Sequence, residues 1–123
     1  MITVKGVRYF NDYNMPSFEY HYDNLGQFMH FIQNDTLGKN RIRFPNVTKP
    51  GKIESLDTSF EWADEYRNNG GDIQKWIYLI TENGKILFSN GRLTDHKTHV
   101  STAIKELFDN LKAWQNEEYD FAE

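Results

Sequence analysis

Residues 75–89, KWIYLITENGKILFS, carry the strongest structural signal in the chain. Two apolar-rich runs, 75–81 and 85–89, flank the dipeptide Asn83-Gly84. An Asn-Gly pair between such runs favours a type I′ turn, because both central residues of that turn adopt positive φ. The stretch therefore predicts a β-hairpin.

The first strand of this hairpin is apolar on both faces. Side chains alternate along a strand, so Trp76, Tyr78 and Ile80 should share one face. Ile77 and Leu79 should share the other face. Strands of this kind are typically buried on both sides. We expect this one to lie at the centre of a sheet and to be covered on each face.

Two further strands are predicted near the N-terminus. Residues 2–10 are rich in β-branched and aromatic side chains. Phe18, Tyr20 and Tyr22 alternate with polar residues, as in a half-buried strand. Turn-forming residues occupy positions 11–16 between them, so we expect the two strands to form a meander.

A first helix is predicted over residues 25–33, where Asp23 or Asn24 can act as the cap. Its apolar residues follow the 3–4 spacing of one helical face. They are Leu25, Phe28, Met29 and Ile32. The segment therefore has one face suited to packing on a sheet.

The middle of the chain predicts a short strand, a loop and a second helix. The strand covers residues 41–44, and Pro45 and Pro50 hold the following loop extended. The helix begins at residues 57–59 and ends at the stop signal Asn68-Asn-Gly-Gly71.

The last helix is the longest predicted element. It begins after Thr98 and ends near Gln115. Its apolar residues keep a 3–4 spacing over four turns and are Val100, Ala103, Ile104, Leu107, Phe108, Leu111 and Trp114. The element order is therefore β-β-α-β-α-β-β-α. Hairpins mixed with helices indicate an α+β fold with a mainly antiparallel sheet of four to five strands and about three helices.

The length and composition favour one cytoplasmic domain. A chain of 123 residues is too short for two cores, so we interpret residues 1–115 as a single domain and 116–123 as a flexible acidic tail. The absence of cysteine excludes a disulfide scaffold and a thiolate zinc site. No apolar run approaches the roughly 20 residues that span a bilayer. The N-terminus also lacks the features of a signal peptide, so we expect no contact with a membrane.

Charged residues are unevenly distributed along the chain. The formal net charge is −4, and it comes from the acids of the last eight residues: Glu117, Glu118, Asp120 and Glu123. A basic segment without acids precedes an acidic segment without bases. The basic segment contains Lys39, Arg41, Arg43, Lys49 and Lys52, and the acidic segment contains Glu54, Asp57, Glu61, Asp64 and Glu65. This layout is typical of a protein that meets a charged partner.

The basic segment has three interpretations. Its cations could bind phosphates while Phe44 offers its ring to a base. They could instead contact an acidic protein surface, or discourage pairing along an edge strand. The net negative charge of the chain argues against the first interpretation. The acidic segment and the acidic tail could dock into a basic groove or could simply be solvated.

Catalytic and metal-binding signals are scarce. There is no cysteine nucleophile, no Gly-x-Ser-x-Gly motif and no phosphate-binding glycine loop. Asp95, His96 and His99 form an Asp-His-x-x-His group that could bind a divalent ion on a helical turn. A polar loop with a capping aspartate explains the same residues. We therefore predict a protein without cofactor or catalytic activity, and a metal-dependent enzyme at residues 95–99 is an alternative.

Aromatic side chains raise the question of oligomers. Phe31 lies off the apolar stripe of the first predicted helix, and Trp62 extends the face of the second only weakly. Such residues could lie on the surface and form a homo-oligomeric interface. The sequence leaves the oligomeric state open.

In general character the chain resembles the small anti-CRISPR and antirestriction proteins that phages and plasmids use against bacterial defence. The resemblance rests on the length, the absence of cysteine, residues with AT-rich codons, the acidic surplus and the lack of an enzyme motif. It rests on no specific motif. It implies an inhibitor of a type II CRISPR effector. Such an inhibitor occupies the nucleic-acid groove or a hinge of a Cas9-like nuclease or its guide RNA complex. A nucleic-acid-binding accessory protein that uses residues 39–52 is the alternative.

Overall fold

A computed structural model of the chain describes residues 1–10, 13–35, 42–51, 53, 60–66 and 71–121. Its elements in chain order are β1 (Ile2–Phe10), β2 (Tyr13–Tyr22), α1 (Leu25–Asp35), β3 (Phe60–Tyr66), β4 (Gly71–Glu82), β5 (Lys85–Ser89), β6 (His99–Val100) and α2 (Thr102–Phe121). The described residues thus form an α+β fold with six strands and two helices, against the four to five strands and three helices expected.

All six strands belong to one antiparallel sheet, in which β4 is central. The strand order is β2-β1-β4-β5-β6, and β3 also pairs with β4. One edge of β4 pairs with β1 along almost its whole length. The other edge is shared, because β3 pairs with residues 71–77 and β5 pairs with residues 79–82. The predicted central position of the strand at 75–81 is therefore confirmed.

The hairpin between β4 and β5 forms at the predicted dipeptide. Asn83 has a φ of 49° and Gly84 a φ of 86°, the positive values that a type I′ turn requires. The turn is also tied to the start of the chain, since the N-terminal ammonium donates to Asn83 Oδ1 at 2.9 Å. The hairpin predicted from the local sequence is therefore confirmed.

A β-bulge changes which residues of β4 face the core. Lys5 pairs with Leu79, but the next residue of β1, Gly6, pairs with Ile77, so Tyr78 has no partner on β1. As a result Ile77 and Ile80 are both fully buried, whereas Leu79 is half-buried. The expected separation of Ile77 and Ile80 onto opposite faces is therefore wrong.

Both helices pack on one face of the sheet and enclose an aromatic core. Phe28 of α1 lies 6.4 Å from Phe60 of β3 between ring centroids, and Phe108 of α2 lies 5.0 Å from the same ring. The remaining buried apolar residues join the same cluster. Aromatic rings bury a large area each, which suits a short chain.

The ends of the helices agree only partly with the sequence pattern. Asn24 caps α1 as expected, because its Oδ1 accepts from the amide of Gln27 at 2.9 Å. Ser101 Oγ accepts from the amide of Ile104 at 3.3 Å and caps α2. However, α2 continues to Phe121, past its predicted end near Gln115. The residues that the sequence assigned to a tail are therefore helical as far as 121.

The helix predicted from residues 57–59 to about 68 is wrong, because residues 60–66 form strand β3. Phe60 and Trp62 are both fully buried. They lie two residues apart on β3, so their side chains share one face of the strand. Burial of these two rings against β4 outweighs the local helical pattern. The strand predicted at 41–44 is reduced, within its described residues, to a single bridge between Arg43 and Glu61.

No helix in the described ranges is both long and apolar enough to cross a lipid bilayer.

Candidate binding surface

The basic and acidic segments meet at the edge of β3. Arg43 and Glu61 exchange two backbone hydrogen bonds of 2.9 and 3.1 Å. Their side chains also pair, with Arg43 Nε 3.1 Å from Glu61 Oε1. The Glu61 side chain is only 7% exposed, whereas that of Arg43 is 75% exposed. Glu61 therefore neutralises a cation of the same chain and is withdrawn from the acidic partner surface predicted for it.

Phe44 belongs to the core. Its ring stacks on Phe60 at 5.4 Å with an interplanar angle of 16° and lies 5.7 Å from Phe108. Lys112 of α2 covers the ring, with its Nζ 5.5 Å from the centroid. A ring held in this way is occupied by its own chain, and the predicted stacking on a nucleic-acid base is not supported.

The other predicted cations are described only in part. Lys49 is exposed in the irregular stretch of 42–51. Lys39, Arg41 and Lys52 lie outside the described residues. The stretch crosses from β3 to β6, since the amide of Gly51 donates to the carbonyl of Val100 at 2.6 Å. Its role in the described structure is to cover the aromatic core.

The acidic segment is also divided. Glu54 and Asp57 lie outside the described residues, and Asp64 and Glu65 lie on β3. Residues 60–66 of this segment form a strand, so these acids do not lie on the helix predicted there.

The C-terminal end of α2 carries the acids that set the net charge. Glu117 is exposed, and Glu118 and Asp120 follow within the same helix. The last turn contains no basic residue. Carboxylates at this end oppose the helix macrodipole, whose partial negative charge lies at the C-terminus. Glu123 lies outside the described residues.

The predicted metal group is not assembled. Asp95 and His96 lie in the turn after β5, and His99 lies on β6 instead of on a helical turn. No three His, Cys, Asp or Glu side chains within the described ranges are placed to hold a metal ion. The turn is organised by its own hydrogen bonds, in which Thr94 Oγ1 donates to the carbonyl of Asn90 at 2.9 Å and Ser89 Oγ donates to that of Lys97. The polar-loop interpretation fits these contacts better.

One cluster of cations and aromatic rings was not singled out by the sequence. It comprises Arg8, Phe18, Tyr20, Trp62 and Lys75, which we call the cation–aromatic cluster. Arg8 lies over Phe18 and Tyr20, with Cζ–centroid distances of 5.5 and 5.8 Å. Lys75 lies over Tyr20 and Trp62, with Nζ–centroid distances of 5.9 and 5.3 Å. In the sequence this cluster is marked only by Arg8 and Lys75, two cations that occupy apolar-side positions of β1 and β4.

Phe31 and Trp62, which the sequence pattern placed on a possible oligomeric surface, contribute to the core. Trp62 is fully buried, and Phe31 packs on Tyr20 and Tyr22 at 6.2 and 5.7 Å. Neither ring supports the homo-oligomeric interface that the sequence left open for them.

A polar network lies on the sheet face opposite the helices. Glu19 is 2.9 Å from His21 Nε2 and 3.6 Å from Lys5 Nζ. His21 Nδ1 lies 3.2 Å from Thr3 Oγ1. These side chains satisfy one another across β1 and β2, so the network is accounted for by cross-strand pairing.

Comparison of the chain with protein-family models, curated proteins and solved structures finds no match.

Proposed function

We propose that the protein is a non-catalytic inhibitor that docks the acidic end of α2 onto a basic protein surface. The docking residues are Glu117, Glu118 and Asp120. The observation that carries the proposal is the position of these acids in the last turns of a helix whose end has no basic residue.

The position of these acids is unfavourable for stability. Each carboxylate near a helix C-terminus opposes the macrodipole, at a typical cost of about 0.3–1 kcal/mol. Residues that break a local rule are expected at functional sites. A basic partner surface would offset this cost.

The body of α2 is packed on the sheet. Ile104, Phe108 and Leu111 bury the inner face of α2 in the core. The helix is therefore held against the sheet at least as far as Leu111. A preorganised surface loses less conformational entropy on binding than a flexible tail does. This favours docking by α2 over capture by a disordered acidic segment.

We further propose that the partner is a nuclease of bacterial defence, either a Cas9-like protein or its guide RNA complex, in the cytoplasm of the host. Support comes from the general resemblance to anti-CRISPR proteins and from charge complementarity with a groove that holds nucleic acid. Acidic side chains in such a groove would exclude DNA. They would also accelerate association through long-range attraction.

The alternative of nucleic-acid binding through residues 39–52 is less well supported. Arg43 is paired with Glu61, and Phe44 is packed between Phe60 and Phe108. Two of the six residues proposed for that function are thus engaged within the fold.

The proposal is tested with two triple variants of equal net charge. The first, Glu117→Gln, Glu118→Gln and Asp120→Asn, neutralises the end of α2. The control, Glu82→Gln, Asp95→Asn and Glu106→Gln, neutralises three exposed acids elsewhere. DNA cleavage by a purified guide-loaded Cas9 is measured with each protein in excess.

The wild-type and control proteins should inhibit cleavage, and inhibition should weaken as the salt concentration rises. The α2 variant should need at least about tenfold more protein for the same inhibition, since three charge contacts are lost. Equal loss in both variants would show that only net charge matters and would remove α2 from the docking role. Failure of wild-type protein to inhibit would remove this class of partner.

A further inference from the structure

We propose that β2 pairs with β2 of a second copy of this chain, so that the two sheets join into one across a two-fold axis. The pairing is antiparallel and is centred on Tyr20. It uses the outer edge of β2, the edge that faces away from β1. The proposal goes beyond the inhibitory function and uses none of the docking residues at the end of α2.

The outer edge of β2 is open over residues 18–21. Among the described strands, β2 is the last of the sheet and pairs with β1 alone. Within the described part of the chain, the hydrogen bonds and ion pairs of residues 18–21 go to β1 or stay within β2. An edge strand presents a row of backbone N–H and C=O groups to which another strand can bind.

This part of β2 is also regular enough to accept a neighbour. Residues 18–22 pair one for one with residues 2–6 of β1, and the irregularity of this ladder lies beyond them, between Gly6 and Arg8. A bulge is one of the devices that protect an edge strand from pairing. The regular half of β2 has no such protection, so a second strand can follow it residue by residue.

The sequence of this edge is complementary to itself in the antiparallel direction. When Tyr20 lies opposite Tyr20 of the second copy, Glu19 of each copy faces His21 of the other copy. Both side chains are 49% exposed and lie 2.9 Å apart within one copy. Each carboxylate would then lie beside two imidazoles, and each imidazole beside two carboxylates. Cross-strand pairs of this kind stabilise a sheet.

Other registers are less favourable, which is why the proposal commits to a second copy aligned at Tyr20. A shift of two residues in one direction places Glu19 opposite Glu19, and a shift in the other direction places Glu19 opposite Asp23. Like charges directly opposite each other are destabilising. A shift of one residue places the core side of one copy beside the polar side of the other. The interface is therefore isologous, with each copy contributing the same residues.

The dimer should be weak and should depend on concentration. One pair of strands buries less than the roughly 1,200–2,000 Å² of a standard interface, so we expect a dissociation constant on the order of micromolar or higher. Sedimentation equilibrium of the full-length protein, from about 1 μM to about 1 mM, measures it directly.

Charge variants test the predicted contacts. His21→Glu places two acids opposite each other at both symmetry-related contacts and should weaken dimerisation at least about tenfold. Adding Glu19→His to the same chain exchanges the two residues and should restore dimerisation, because the opposite pairs are complementary again. His96→Glu makes the same charge change at an exposed turn residue and is the matched control. It should dimerise as wild type does.

Cysteine variants test the register, since the chain has no cysteine of its own. Opposite residues of antiparallel strands have Cα atoms about 4.5–5.5 Å apart, within reach of a disulfide, whereas diagonal neighbours are about 7–8 Å apart and out of reach. Under mild oxidation, a mixture of Glu19→Cys and His21→Cys proteins should form a disulfide-linked dimer. Each protein alone should not, because its two cysteines lie diagonally across the axis.

Three results would overturn the proposal. The first is a wild-type protein that stays monomeric over the whole concentration range, which would leave the edge of β2 to a strand of another protein. The second is a folded His21→Glu protein, verified by circular dichroism, that dimerises as tightly as the His96→Glu control. The third is cross-linking of the separate cysteine proteins to the same extent as the mixture, which would place the contact in another register or on another surface.

Discussion

The edge of β3 and the end of α2 both carry acids, but they use them in opposite ways. At the edge of β3, Glu61 is buried and its carboxylate contacts Arg43 of the same chain. At the end of α2, Glu117 is exposed at a place where the helix dipole disfavours negative charge. The first acid supports the fold, and the second opposes local helix stability.

The comparison shows that net charge along a sequence does not reveal which charges are available to a partner. A carboxylate and an arginine that pair within the fold have no net charge together, so the pair does not attract a basic partner. A carboxylate that costs stability where it stands is a better candidate for function. Four predictions test this contrast, in order of decreasing expected effect on stability.

Phe44→Ala should have the largest effect, because Phe44 holds the segment that carries Arg43 against Phe60 and Phe108. Loss of this half-buried ring should lower the free energy of unfolding by about 2–4 kcal/mol. Urea denaturation followed by circular dichroism measures the change. Leu93→Ala, which removes a side chain that is 48% exposed, serves as the control and should cost far less. A loss for Phe44→Ala no larger than the control would place the ring outside the core.

Glu61→Gln should be the next most destabilising change. The substitution keeps the shape of the side chain but removes the buried charge that Arg43 contacts. We expect a loss of about 1–3 kcal/mol in the free energy of unfolding. A double-mutant cycle with Arg43→Gln should give a coupling energy of about 1 kcal/mol, since Arg43 is largely solvated. Additive effects of the two substitutions would show that the ion pair contributes nothing.

Neutralising the end of α2 should change stability in the opposite direction. The triple variant Glu117→Gln, Glu118→Gln and Asp120→Asn removes charges that oppose the macrodipole. It should raise the free energy of unfolding by up to about 1 kcal/mol. Thermal melting at low and high salt measures the effect, which should shrink as salt screens the dipole. A clear loss of stability would mean that these acids have stabilising partners within the fold.

Asp109→Asn should have the smallest effect. Its carboxylate pairs with Lys105 one turn earlier on α2, at 2.6 Å from Nζ to Oδ1, and is about half exposed. Exposed pairs at this spacing contribute only about 0.3–0.5 kcal/mol. Urea denaturation in low salt is the appropriate measurement. A cost as large as that of Glu61→Gln would erase the distinction between the surface pair and the pair at β3.

Much of the fold is accessible from local sequence. The hairpin at Asn83-Gly84, the two N-terminal strands and the last helix are all local patterns, and the structure contains each element. Their bounds differ, since β2 already begins at Tyr13 and Val100 lies on β6. The strand β3 was missed because Phe60 and Trp62 are fixed by β4 and by the two helices, which no local window contains. The bulge opposite Tyr78 was missed for the same reason, since it depends on the register of two strands.

The candidate binding surface is less accessible from sequence than the fold. The ion pair of Arg43 and Glu61 joins one residue of the basic segment to one residue of the acidic segment. The cation–aromatic cluster likewise gathers Arg8 and Lys75 from strands far apart in the chain. In each case the contact is set by strand pairing, so charge runs along the sequence could not reveal it.

The most direct test of the contrast is a side-by-side measurement of the free energy of unfolding for Glu61→Gln and Glu117→Gln in urea. Each substitution removes one negative charge and leaves a side chain of the same size. We expect Glu61→Gln to lose at least about 1 kcal/mol and Glu117→Gln to be unchanged or slightly more stable than wild type. Equal losses, or a larger loss for Glu117→Gln, would contradict the assignment of one acid to the fold and the other to a partner.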